Sequence, residues 1–218
     1  MIDIRLGFSK TDRAAYISHL DCNRLFQRAF KRSGLPVWYT QGFNPHVYLT
    51  FPLPLSLGTE SLCETVDFRL TEETSMGQVL DRLNEVLPEG VRALWAAPPV
   101  YSADKIASAR YEIRLYPKDS LPDALASARQ TLEKPQLLVE KKTKKGMKQV
   151  DLKQHLSDVT LTQEGDCILL VLTLPAGSRL NINPSLVAGA LNPPVTGPFR
   201  FFTIRRTAIL TDSGEMFR

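Results

Sequence analysis

The chain is poor in the residues from which metal and redox sites are built, with three cysteines and three histidines among 218 residues. Cys22, Cys63 and Cys167 stand far apart with no CxxC pair. They give no zinc or iron–sulfur ligand set and read as free buried thiols in a reducing cytosol. No apolar run approaches the roughly 18 to 20 residues that span a bilayer. Met1-Ile2-Asp3-Ile4-Arg5-Leu6 carries an acid at its third position and alternates like a strand, which argues against a signal peptide. There is no P-loop, no GxGxxG after a strand, no GxSxG and no CxxxCxxC, so nothing suggests a nucleotide-hydrolysing or redox engine acting alone. Low-complexity segments are absent too.

What is present is an ordinary folded composition, 43% hydrophobic and 23% charged. The length allows one large domain or two small ones. The net charge of +4 is uneven: residues 1–98 sum to −1 and residues 99–218 to +5. A basic second half beside a neutral first half hints at a polyanionic partner.

Period-two alternation predicts a strand over Ile2 to Phe8. Ser18, with Asp21 three residues on, forms an acidic variant of the capping box. A helix follows over Leu20 to Lys31, its buried stripe Cys22, Leu25, Phe26, Ala29 and Phe30, and Gly34 ends it. Val37 to Thr40 and Tyr48 to Phe51 read as short strands and Leu62 to Leu70 as a longer one. Thr74 to Leu87 reads as a helix, and Val91 to Ala97 closes the unit as a strand. Pro98-Pro99 marks a boundary, giving domains 1–98 and 99–218.

The second half repeats the plan. Strands are expected over Tyr111 to Tyr116, Gln136 to Lys142, Lys148 to Leu152, Val159 to Thr162, Ile168 to Leu174 and Phe199 to Leu210. Helices are expected over Leu121 to Leu132 and from an Asn183 cap to Leu191. The expected class is α+β: tandem ferredoxin-like (split βαβ) sandwiches with antiparallel sheets.

Polar residues flank the first helix. His19, Asp21 and His46 have the chemistry to move protons near neutral pH, or to offer a metal two imidazoles and a carboxylate, although no fourth ligand is evident. Equally, Ser18 and Asp21 serve as a cap, His19 bonds a strand carbonyl, and Asn44-Pro45 makes a turn. Ser18, Arg24, Arg28, Gln41, Phe43 and Asn44 are candidates for binding a substrate. Trp38, Tyr39, Phe43, Tyr48 and Phe51 either stack unpaired bases beside the helix arginines or belong to the core. Lys141, Lys142, Lys144, Lys145 and Lys148 form a basic hairpin suited to nucleic-acid phosphates, or to guarding an exposed strand edge. Arg200 and Arg205-Arg206-Thr207 add phosphate contacts or plain strand surface.

Three blocks carry a family resemblance: Tyr16-Ile17-Ser18-His19-Leu20-Asp21, the arginine-rich run Arg24 to Pro36, and Tyr39-Thr40-Gln41-Gly42-Phe43-Asn44-Pro45-His46. They resemble the radical-SAM-associated domain of unknown function, also called the radical SAM-linked protein family. Leu53 to Ser61, Lys145 to Leu152 and Arg205-Arg206-Thr207-Ala208 extend the likeness. Val47-Tyr48-Leu49 departs from the family's Pro-Arg-Ile type run and removes a cation near His46.

The resemblance implies a protein found alone beside, or fused behind, a radical SAM enzyme. S-adenosylmethionine and an iron–sulfur cluster belong to that partner, and this chain binds no cofactor or metal itself. The expectation is a cytoplasmic accessory protein, away from membranes, that binds RNA or a ribosome-linked substrate. The alternatives are an RNA-cleaving or RNA-modifying enzyme using His19 and His46 as acid and base, and a protein-interaction scaffold.

Overall fold

A computed structural model describes residues 1–143 and 146–218, with side chains for all of these except 141–143. The class is α+β, with four α-helices among the described residues and antiparallel strand pairs. The chain divides into two units, residues 1–107 with 206–218, and residues 108–205.

In the first unit, strand β1 (Ile2–Lys10) is followed by helix α1 (His19–Ser33), β2 (Thr59–Leu70), α2 (Met76–Asn84) and β3 (Val91–Ala97). β1 lies between β3 and β2, antiparallel to both. The far side of β2 takes the end of β9 (Phe199–Thr211), which belongs to this unit from Arg206 onward. Ile4, Leu6 and Phe8 of β1 and Val66, Phe68 and Leu70 of β2 form a floor for Cys22, Phe26, Ala29 and Phe30 of α1. Phe8 meets Phe26 edge-on at 4.7 Å, and Phe30 tilts over Phe68 at 4.6 Å.

The ends of α1 follow its sequence signals. Ser18 Oγ accepts the Asp21 N–H, and Gly34 adopts φ 63°, the left-handed stop that glycine makes without a Cβ penalty. Residues 99–107 and the chain's last residues also pack in this unit. The N–H groups of Val100 and Tyr101 donate to Arg218 O. Arg5 grips Asp67 with two bonds of 2.6 and 2.7 Å, donates to Tyr101 O and lies over the Phe217 ring.

The strands expected over 37–40 and 48–51 do not form. Only isolated bridges occur there: Val37 with Leu70, Tyr39 with Val47, and Thr50 with Asp67. The cause is local. Pro36, Pro45 and Pro52 interrupt the segment, and the main-chain groups that Val47 turns away from Tyr39 go to the Gln27 carboxamide on α1 and not to a further strand.

The second unit runs β4 (Ile106–Pro117), α3 (Leu121–Glu133), β5 (Leu138–Thr143), β6 (Gly146–Asp151), β7 (Ser157–Glu164), β8 (Cys167–Pro175), α4 (Pro184–Leu191) and the first part of β9. Its strand order is β9-β4-β8-β7, while β5 and β6 form a separate two-stranded sheet. Ala109, Tyr111, Ile113 and Leu115 alternate inward on β4, as do Ile168, Leu170, Leu172 and Leu174 on β8. Ser120 and Asn183 cap α3 and α4, each followed by proline in the first turn. Among the described residues, no helix is long and apolar enough to cross a membrane.

Candidate recognition site

The entrance to α1 is built by its own cap. Ser18 Oγ accepts the Asp21 N–H at 3.1 Å and donates to Asp21 Oδ2 at 2.7 Å, while Arg24 Nη1 reaches Asp21 Oδ1 at 3.0 Å. The Ser18 hydroxyl first, then Arg24, holds the exposed Asp21 carboxyl below its usual range. Asp21 is therefore committed to the helix start.

His19 is exposed on the first turn, and it does not bond a strand carbonyl. Its ring stands edge-on to Phe51, centroids 5.3 Å apart at 88°. It sits at the mouth of a cavity of about 10 Å³, lined also by Lys10, Cys22 and Glu64. That space is too small for a substrate and has room for a single water at most.

His46 ends a closed loop. Thr40 N–H donates to His46 O at 2.8 Å, and His46 N–H donates to Thr40 Oγ1 at 3.2 Å. His46 Nδ1 lies 3.0 Å from Asn44 O and 3.1 Å from Thr40 Oγ1. A carbonyl can only accept, so the neutral ring carries its proton on Nδ1 and leaves Nε2 with a lone pair. Gln41, Gly42, Phe43, Asn44 and Pro45 are all exposed, and Phe43 at 106% is as open as a side chain can be.

Gln27 fixes this loop to α1. Its Nε2 donates to Val47 O at 2.7 Å, and the Val47 N–H donates to Oε1 at 3.0 Å. Arg24 and Lys31 lie one turn either side of Gln27 on the same helical face, with Arg28 next to it; all three cations are exposed. A loop pinned by these hydrogen bonds, with an open aromatic, thus borders a cationic stripe. Of the other aromatics of the segment, Tyr39 is 36% exposed and the rest are occupied. Trp38 and Tyr48 pack edge-on at 5.6 Å with Arg69 over both rings, and Phe51 packs against Phe8 and Phe26.

Among the described residues, no hydrogen bond, ion pair or ring contact joins His19, Asp21 and His46 to one another. Nor does any group of three or more His, Cys, Asp and Glu side chains gather as for a metal ion. Lys148 is exposed on β6, paired in register with Lys141. Lys144 and Lys145 lie outside the described residues, as do the side chains of Lys141 and Lys142.

Beneath the helix entrance lies a buried charged group that sequence reasoning missed. Lys10, 3% exposed, donates to Ala15 O at 3.2 Å and Ile17 O at 2.8 Å. Glu64 pairs with Arg206 at 2.9 Å, and Arg206 also donates to Leu53 O and Pro54 O. Arg206 is therefore a buried clamp and not a phosphate-facing surface residue, while Arg200 donates to Lys118 O. Burial draws the Lys10 ammonium below its usual range, with Cys22 and Glu64 acting the other way. Burial also pushes the Cys22 thiol up to about 11 and Cys63 up to about 12, so neither is a thiolate nucleophile near neutral pH. The signal was in the alternation: Lys10 continues the inward set Ile4, Leu6, Phe8, and Glu64 precedes inward Val66 and Phe68.

These features define an α+β protein whose first unit presents an exposed loop and helix face above a sealed ionic floor. The chain belongs to the family described as uncharacterized protein conserved in bacteria (DUF2344), whose family model matches residues 3–184. The match takes in the α1 entrance, the loop and both Lys10 and Glu64, and ends before Arg206. No curated protein matches the chain.

Proposed function

We propose that this protein is a cytoplasmic recognition module that presents RNA, or a ribosome-linked substrate, to a radical SAM enzyme. The observation that carries the binding half is Phe43, fully exposed on a loop clamped by Thr40–His46 and Gln27–Val47 beside Arg24, Arg28 and Lys31. An apolar ring held open to water by its own scaffold is suited to stacking on an unpaired base, and the cations to its phosphates. The enzyme half rests on the resemblance of the α1 entrance and loop to the radical SAM-linked proteins. S-adenosylmethionine and the iron–sulfur cluster would belong to that partner. The separate engagements of His19 and His46 favour recognition over acid–base transfer. The strand orders support reading each unit as a variant of the split βαβ plan, the first with its second strand reduced to bridges.

The test is fluorescence anisotropy with single-stranded RNA and with bulk tRNA and rRNA fragments across a salt series. Expected is an affinity that falls with salt, and a loss of about 1–3 kcal/mol in Phe43→Ala. Salt-independent or absent binding removes the RNA reading. Failure to co-purify with a radical SAM enzyme from a bacterium encoding both removes the partner.

A further inference from the structure

Lys10 is a buried cation without a counterion. It is 3% exposed, and its ammonium donates to two neutral acceptors, Ala15 O at 3.2 Å and Ile17 O at 2.8 Å. A lysine buried to this degree is ordinarily paired with a carboxylate. Here each neighbouring carboxylate has an arginine of its own. Glu64 pairs with Arg206 at 2.9 Å and Asp21 with Arg24 at 3.0 Å, and among the described residues no ion pair reaches Lys10. The charge left over at this spot is therefore positive. An ammonium has three donors, and two are spent on the carbonyls. One remains for the cavity of about 10 Å³ that Lys10 lines with His19, Cys22, Phe51 and Glu64. The residue at its mouth is loosely held. His19 is exposed, its ring has no hydrogen bond among the described residues, and the edge-on contact with Phe51 at 5.3 Å seats it. Exposed side chains of this kind change rotamer in picoseconds to nanoseconds.

We propose that this cavity takes one oxygen of an oxyanion, a carboxylate or phosphate group, whose other atoms lie at the mouth once the His19 ring has turned aside. Sign and size select the occupant. The uncancelled ammonium calls for negative charge, and a charge-assisted bond to an oxyanion is stronger than one to a neutral acceptor. A space with room for one water accepts one oxygen, which is of the same size, and nothing larger. The rest of the ligand stays outside, so the small volume limits the seated atom and not the molecule that bears it. Such a group is carried by a small acid or by the phosphate at an RNA end. The inference does not rest on the stacking role of Phe43.

The experiment titrates the full chain with formate and, separately, with inorganic phosphate at constant ionic strength, followed by the amide NMR shifts. Expected are saturable shifts at Lys10, Ile17 and Cys22, with Arg28 and Phe43 unchanged. Lys10→Met, which keeps the apolar stem, is expected to weaken binding about tenfold or more. His19→Ala, a change at an exposed position, opens the mouth and is expected to bind at least as tightly as the natural chain, which decides the matter even if Lys10→Met does not fold. Single-stranded RNA with a 5′-phosphate and the same strand without it separate the two sources: displacement of formate by the first alone assigns the group to an RNA end, and displacement by neither assigns it to a small acid. Shifts that do not saturate, that centre on the exposed arginines of α1, that survive Lys10→Met, or that vanish in His19→Ala overturn the proposal.

Discussion

Glu64 and Arg206 meet at 2.9 Å with 5% of either side chain exposed, although 142 residues separate them in the sequence. The pair sits on the inward faces of β2 and β9, and the Arg206 guanidinium reaches on to the carbonyls of Leu53 and Pro54. A buried pair of this kind is costly to break from one side, because the surviving charge has no partner and little water. Glu64→Gln and Arg206→Met are each expected to destabilise the fold by about 3–5 kcal/mol. The double variant should cost much less than their sum. Urea midpoints of the four proteins close the cycle; additive losses would show that the charges stabilise the fold separately.

Gln27 is the hinge pin of the candidate site. Replacing it by alanine leaves the Val47 N–H and C=O, at a residue only 1% exposed, without their partner. The expected cost is about 1–3 kcal/mol, together with faster amide exchange at Val47 and Thr40. Phe43 would then lie on a loosened loop, so RNA affinity should fall in Gln27→Ala although Gln27 itself is not required to touch RNA. A variant with normal exchange at Val47 would show that the loop holds its shape without the clamp.

What the sequence makes legible here is punctuation and period. Ser18, Gly34 and Asn183 bound their helices where their capping chemistry says they must, and the apolar stripe of α1 is the face that meets the sheet. The segment 37–51 has a strand-like composition, but prolines at 36, 45 and 52 limit it to single bridges, and the main-chain groups that Val47 turns away from Tyr39 go to Gln27, a side chain twenty residues earlier. The ionic floor was missed for a related reason. Lys10, Glu64 and Arg206 each occupy one inward position on a different strand, and only the register of the sheet brings them together. The proximity of His19 to Asp21 in sequence likewise does not decide function, since the cap claims Asp21 and Phe51 claims the His19 ring.

Alkaline pH should destabilise the fold through its thiols. An ordinary cysteine titrates at 9.0, but folded Cys22 titrates at about 11 and folded Cys63 at about 12, both because burial penalises the thiolate. Above pH 9 the unfolded chain therefore sheds protons that the folded chain keeps, and stability falls as pH rises. The slope approaches about 1.4 kcal/mol per pH unit for each thiol. Lys10 has the opposite sign: its lowered folded pKa means that the unfolded chain holds the proton longer, so its contribution rises with pH below 10.5. Cys22→Ala with Cys63→Ala should flatten or reverse the fall between pH about 8.5 and 10. Denaturant midpoints measured across that range check it, and an unchanged slope would assign the fall to other groups.

Gly7 is glycine for want of space. It pairs in register with Trp95 on β3, and a Cβ at position 7 would lie 2.1 Å from the Trp95 indole. Nothing can occupy that distance, so Gly7→Ala must swing the ring from its seat or push the strands apart. The expected cost is about 1–3 kcal/mol, in the range of an overpacked site, with a red shift of indole emission as Trp95 gains water. If the clash is the whole cause, removing the ring removes the penalty. Gly7→Ala on a Trp95→Ala background should then cost nothing beyond Trp95→Ala alone. A penalty that persists without the indole would place the constraint in the backbone of β1, where the register with β3 shifts between Gly7 and Phe8.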